Sequence, residues 1–549
     1  MQDAHGGDMS TPLDRFVDRY VRTITDDNPV LSTYLGLHEH DHSLGDTSAE
    51  ALDDRNRHVA DLLSELDATE IPENDHEAVI DRQALRASLS YSIFQHEQLR
   101  SWQKSPSVYV GTALSGLNEL IVGDFAPLEQ RVSSLVGRLK DVPKVLRSMQ
   151  ENLRDVPRVY AKVGAEMARG GATFVSSVLP GLAEAAPKLR AELESAGPPA
   201  GETFSEAASH LEVVSSEADA PFHVGREHYD WILRRYHLLD LSAEELREIG
   251  KKALDETRRE QEEVAREIDP ERSVTEIVEE LKASHPSASG LRDHYASEMA
   301  RARDFVAKQG LVTIPENEVL EVIDTPVFFR KLFPYAAYHP AGPFEPRQRG
   351  LFYVTPVDES LPPDQQERQL RGHGVHTIPI IALHEAYPGH HLQLIRSNAN
   401  PRKARKLLHN TVFIEGWALY CEEMMKQEGF YEDPRARLSQ LKETVWRASR
   451  VVVDVGLQLG EMSVEEAVDF MVNEASLERI SAEAEVKRYA GNPTQPSSYL
   501  VGKLAITDIR RRYEEREGAA FDLREFHDAV LDVGSIQPRL VEAALGLGH

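Results

Sequence analysis

Apolar residues recurring every three to four positions dominate this sequence, and that period commits most of the chain to helices that must pack on one another. Leu13, Phe16, Val17, Tyr20 and Val21 keep it near the start, where Thr11-Pro12 reads as a cap followed by proline in the first turn. Ser242-Ala243-Glu244-Glu245 opens a helical stretch to Ile268 with a capping box, and Ser463-Val464-Glu465-Glu466 opens another in the same way. Strand signals are few. Gly350 to Pro356 encloses a short aromatic and β-branched run, and Val319 to Val327 reads as a second strand, with Pro326 pointing to an edge. The Pro/Gly/Ala stretch Ala196 to Glu202 is the clearest linker signal, and Pro286 to Gly290 a weaker one. The fold class expected is mainly α, a large helical body with a small β-sheet just upstream of the best motif.

Composition narrows the function. The net charge is −29, from 62 basic and 91 acidic residues, so the surface repels phosphate backbones and anionic lipid. Neither nucleic acid nor membrane is an expected partner. No run of about 18 apolar residues occurs, which excludes a spanning helix. Met1 to Arg15 lacks the apolar core of a secretory signal, and residues 1–10 are expected to be a flexible N-terminus; the expected location is the cytoplasm. Cys421 is the only cysteine, so a transition metal would have to be held by histidine and carboxylate.

The chemistry concentrates between residues 378 and 420. An apolar helix from Ile378 to Ala386 carries His384-Glu385 near its end, followed by Pro388-Gly389 and His390-His391. Zinc hydrolases commonly use H-E-x-x-H, in which two histidines one turn apart chelate the ion and the glutamate is general base on the attacking water. Here Pro388 occupies the place of the second histidine. In an unbroken helix His390 would lie about 9 Å further along the axis and His391 about 10.5 Å, too far to share an ion about 2.1 Å from each ring. Proline also disfavours regular helix at this point. The chain is therefore expected to leave α geometry at Tyr387-Pro388-Gly389 and return His390, or alternatively His391, beside His384. Glu415 lies in the otherwise apolar run Phe413 to Tyr420, where a carboxylate is costly unless paired or metal-bound, and is the expected third ligand. Glu422 and Glu423, followed by Lys426, read as a solvated helix end.

These residues resemble the bacterial domain-of-unknown-function family 885, whose hallmark is His-Glu-Ala-x-Pro-Gly-His-His followed by Glu-Gly-Trp-Ala. The matching positions are His384 to His391 and Glu415 to Ala418, with weaker likenesses at Pro29 to Gly36 and Phe526 to Leu531. The resemblance implies one family domain from about Thr11 to Leu547. That family is similar in fold to the Taq-type zinc carboxypeptidases, which implies two helical halves around a cleft and an edge strand beside the zinc helix. In those relatives the third ligand follows the second histidine by about 24 or 25 residues, which supports Glu415, and their Gly-His pattern favours His390 over His391. Likeness to the same relatives makes Tyr499 the candidate donor to the developing oxyanion, although a tyrosine packed at a helix start would look the same.

Arg488 is a candidate for gripping a substrate carboxylate. The strand Leu351 to Val354, with Tyr353, is a candidate for binding an extended peptide by strand addition. His373 and His376 read as exposed loop residues, with His376 alternatively supporting the site. The reading that follows is a Zn²⁺-dependent metallohydrolase, peptidase or carboxypeptidase-like, acting on a peptide or small amide through Glu385. A zinc hydrolase of a non-peptide amide or ester is one alternative. A catalytically silent binding protein is another, and the intact Glu385 argues against it.

Overall fold

The computed structural model describes residues 11–72, 74–325, 330 and 336–548. The residues 1–10, expected to be flexible, lie outside these, as do Pro326 and Val327. The molecule is mainly helical with one three-stranded sheet among the described residues.

The caps fall where the sequence places them. Helix Pro12–Asp27 starts with a Thr11/Asp14 capping box, helix Ala243–Ile268 with Ser242/Glu245, and helix Val464–Ala475 with Ser463/Glu466. In each, serine or threonine and an acid three residues on satisfy two otherwise unbonded N–H groups. One large apolar core joins the first helix (Phe16), the site region (Ile380, Leu383, Trp417) and a C-terminal helix (Phe526). A second core lies mainly among the helices spanning residues 107 to 217, joined by Leu44 from near the N-terminus.

The linker expected at Ala196 to Glu202 does not exist. These residues are the middle of helix Arg190–Glu217, with Pro198 and Pro199 inside it. Proline in a helix interior costs about 3 kcal/mol, and the packing of this helix along Arg158–Ala185 offsets it. Ala196, Gly197 and Ala200 are buried in that contact, and a side chain on Gly197 would overlap Leu179. The small residues are there for close packing and not for flexibility. Pro286 to Gly290 is a short connection that includes a 3₁₀ turn.

The sheet has the order β1 (Val319–Asp324), β3 (Arg349–Val354), β2 (Ala336–His339). β1 runs parallel to β3, pairing Val319 with Arg349 through to Asp324 with Val354. β2 is antiparallel, pairing Ala336 with Val354 and His339 with Leu351. The strand offered for peptide addition, Leu351 to Val354, is thus the central one, with ladder partners on both sides. A continuous apolar run marks a strand covered on both faces, and β3 is buried from Gly350 to Val354. Tyr353 is 4% exposed. Burial raises its phenol, with smaller effects from the charges of Arg349 and Glu119.

Candidate metal centre

The helix carrying His384 runs from Ile378 to Glu385 and stops there. Ala386 leaves helical geometry (φ −112°, ψ −85°), the Tyr387–Pro388 bond is cis, and a new helix, His390–Asn398, begins after Gly389. The break expected at Tyr387-Pro388-Gly389 is therefore present. Two neighbours hold it. The Trp417 indole N–H donates to the Pro388 carbonyl at 2.8 Å, and the Gly389 N–H donates to the Leu383 carbonyl at 3.0 Å. A side chain on Gly389 would overlap the His384 carbonyl, so only glycine lets the chain fold back this tightly.

The fold-back sets His390 beside His384, ring centroids 4.8 Å apart and planes nearly perpendicular at 87°. Glu415 reaches them from helix Thr411–Gln427. One donor atom from each of His384, His390 and Glu415 lies within 4.8 Å of the other two. Three atoms about 2.1 Å from a tetrahedral ion lie about 3.4 Å apart, and His390 Nε2 and Glu415 Oε2 are already at 3.4 Å. The buried His390 Nδ1 has no hydrogen-bond partner among the described residues. Burial opposes charge on both members of the pair, but their mutual attraction prevails, raising His390 and holding Glu415 down at about 2.

Glu422, read from sequence as solvated, is 1% exposed and accepts from His384 Nδ1 at 2.8 Å. That bond leaves Nε2 of His384 as its donor to an ion. A carboxylate on the far nitrogen of a metal-binding histidine fixes the ring and raises its basicity. Glu415 and Glu422 are seven residues apart, two turns along one helix face, a spacing that could have found the second once the first was named. The Lys426 that suggested a solvated end says nothing about that face.

His391 points elsewhere. It is fully buried, with Nε2 2.8 Å from Glu318 and Nδ1 3.0 Å from the Tyr338 hydroxyl. Both ring nitrogens are engaged, so the structure brings His390, and not His391, to His384 and Glu415.

Glu385 is partly exposed beside this cluster, close enough for its charge to act on His390, Tyr295 and Tyr338. Tyr499 is placed by two glycines. Helix Gln495–Glu517 crosses Thr411–Gln427 where Gly502 faces Gly416, and a side chain on either would strike the other helix's backbone. Tyr499, about one turn before Gly502, thereby comes near Glu415, next to Gly416, close enough for the two groups to act on each other electrostatically. Burial raises the Tyr499 phenol, and the Glu415 charge adds to this.

The remaining candidates sit further out. Arg488 donates to Glu485 at 2.8 Å and to Gln495 at 2.7 Å. His373, expected to be exposed, is buried, with Nδ1 3.1 Å from the Tyr295 hydroxyl. His376 faces Asp433 at 3.8 Å and does not support the cluster.

A family model described as bacterial protein of unknown function (DUF885) matches residues 29–545. The chain belongs to the DUF885 family. A comparison with curated proteins returned no match. Two solved structures share the fold over nearly the full length. One is a putative lipoprotein of unknown function from Shewanella oneidensis, at TM-score 0.79 and 23% identity, covering 96% of this chain and 98% of that one. The other is a putative lipoprotein from Colwellia psychrerythraea, at TM-score 0.83 and 18% identity, covering 98% and 99%. At these identities the likeness establishes the DUF885 fold and nothing finer. Among the described residues, no helix is long and apolar enough to cross a membrane.

Proposed function

We propose that this DUF885 protein is a zinc-dependent metallohydrolase that cleaves peptide bonds, similar in fold and in mode of action to the Taq-type carboxypeptidases. The observation that carries the reading is the convergence of His384, His390 and Glu415, with Glu385 alongside and Glu422 on the outer nitrogen of His384. Two imidazoles and one carboxylate form the donor set of hydrolytic zinc sites, and His390 Nε2 and Glu415 Oε2 stand at the spacing two such ligands take. The residues fit the ion.

Zinc, when held by His384, His390 and Glu415, supplies Lewis acidity to the scissile carbonyl and lowers the pKa of the attacking water. Glu385 accepts the proton of that water and passes it to the leaving amine. Tyr499 donates a hydrogen bond to the oxygen that gains charge. Glu422 keeps His384 in one tautomer and one orientation. A general base beside the cluster favours hydrolysis over silent binding, because holding a metal needs no Glu385. The cytoplasmic location is likewise a proposal, and cell fractionation tests it.

Elemental analysis of protein purified without added metal is expected to find about one zinc per chain. A peptide-library digest is expected to show cleavage that a chelator stops and zinc restores. Protein that holds no zinc and takes none up would remove the reading.

A further inference from the structure

The two faces of the sheet look onto different surroundings. A side chain on Gly350 of β3 would meet His391 Nδ1 in helix His390–Asn398, and the Phe352 ring packs near Tyr295 in the main core. Leu351 points the other way, as alternate residues of a strand do, together with its ladder partner His339. On that far face the end of helix Ser107–Val122 brings in Glu119. Glu119, His339 and Leu351, with Tyr34, Val122 and Phe125, wall a cavity of about 210 Å³.

The acids around this cavity are paired, except Glu119. Asp41 and Glu345 each lie 3.1 Å from a nitrogen of His38, and Asp124 and Glu321 each lie 2.9 Å from Arg349. Glu119 receives no hydrogen bond from the described residues. His339 Nε2 stays 3.8 Å from it, and burial lowers that imidazole to about 4, so the ring is uncharged at neutral pH. The Arg138 guanidinium, whose charge reaches Glu119, donates instead to the Ser43 and Gly116 carbonyls and the Thr33 hydroxyl. The Glu119 side chain is 16% exposed, and burial pushes its carboxyl up to about 7. It also occupies the last turn of its helix, the end where the dipole favours cations. A desolvated carboxylate without a partner is costly, and an arriving cation recovers that cost.

We infer that this cavity is a second ligand site, which binds a small primary ammonium ion with its charge on Glu119 and its alkyl part against Val122, Phe125 and Leu351. The inference does not rest on the hydrolase reading. A metal ion is the wrong cation, because Glu119 and His339 supply only two donors. Among the described residues, His384, His390 and Glu415 alone gather three at the spacing of one ion. The volume falls below the about 300–1,000 Å³ of sites for drug-sized ligands, so the occupant is small. Arg349 does not repel it, since Asp124 and Glu321 offset that charge, and Tyr34, whose phenol burial raises, stays neutral.

The test is calorimetric titration of the full chain with n-propylammonium chloride and with n-propanol, a neutral molecule of like size. Sodium chloride at about 0.15 M screens the acidic surface. The ammonium is expected to bind at least about tenfold more tightly than the alcohol, the worth of a hydrogen bond to a charged group. Glu119→Gln is expected to remove that preference, and Asp124→Asn, at the exposed rim, to keep it. A second measurement needs no variant. Because the Glu119 carboxyl is held near 7, ammonium binding should release about one proton per ligand one pH unit below that value and little one unit above it. Titrations in buffers of different ionisation heat read this release. No binding of the ammonium, equal binding of the alcohol, or a preference that survives Glu119→Gln overturns the site. Displacement by potassium chloride at matched concentration overturns the ammonium assignment, because the cavity then takes any monovalent cation.

Discussion

His390 and His391 are neighbours in the chain, yet each joins a different group of buried polar side chains. Around His391, both ring nitrogens are bonded, and Glu318 accepts from His391 and Tyr387 at 2.8 and 2.6 Å while pairing with Arg303 at 2.9 Å. Around His390, one nitrogen has no partner among the described residues and the other stands 3.4 Å from Glu415. Both groups contain histidine, glutamate and tyrosine. What separates them is satisfaction: the His391 ring is bonded at both nitrogens and props β2 against the second site helix, whereas His390 Nε2 meets Glu415 only at 3.4 Å, the spacing of two ligands to one ion. Residue type alone does not mark a ligand; what each ring nitrogen faces does.

The largest expected effect follows from this contrast. His390→Ala should abolish tight zinc binding, and His391→Ala should retain it, as metal titrations of the two variants will show. Zinc lost from His391→Ala and kept by His390→Ala would reverse the assignment of the two groups. Next in size, Glu385→Gln should keep its zinc and lose about 10² to 10⁴ in hydrolytic rate, the usual share of a general base. Glu415→Gln should instead weaken the metal. Tight zinc in Glu415→Gln beside a metal-free Glu385→Gln would show that base and ligand have been exchanged.

Glu422→Gln sharpens the comparison from the other side, because Glu422 touches the ion only through His384. Its expected cost is about 10- to 100-fold in zinc affinity. An unchanged affinity would reduce Glu422 to a packing role.

The smallest effect is a pH dependence of the closed group. Burial pushes Glu318 up, but the hydrogen bonds from His391, Tyr387 and Arg303 outweigh it and hold its pKa at about 2. A carboxylate lowered on folding contributes stability above its ordinary value near 4.5, and that contribution fades as pH falls toward 2. Glu318→Gln should therefore flatten the fall in stability between pH 4.5 and 2, by about 2 kcal/mol, in denaturation curves of the two proteins. Parallel curves would show that the group is not held ionised.

Much of this molecule is legible in local sequence. Thr11, Ser242 and Ser463 announce helix starts because capping is settled within four residues. Pro388 announces the break after Glu385 because a proline ring and a missing N–H act on their immediate neighbours. Glu415 stands out as a carboxylate in an apolar run. Where local reasoning misled, a distant partner had changed the meaning of the residues. Ala196 to Glu202 has a linker's composition, yet its small residues serve contact with Leu179 on another helix. Glu422 looks solvated beside Lys426, yet it lies against a histidine 38 positions earlier.

By itself, then, the sequence determined the helical body, the caps, the departure from helix at Tyr387-Pro388-Gly389 and the short list of donors, all consequences of sterics and periodicity over a few residues. Only the tertiary structure decided which histidine faces Glu415, that Leu351 to Val354 is the central strand, and that Glu422 lies against His384. Those outcomes depend on which side chains and strands reach one another across element contacts. Such contacts are fixed by packing, at places such as Gly416 against Gly502, between residues that are far apart in the chain.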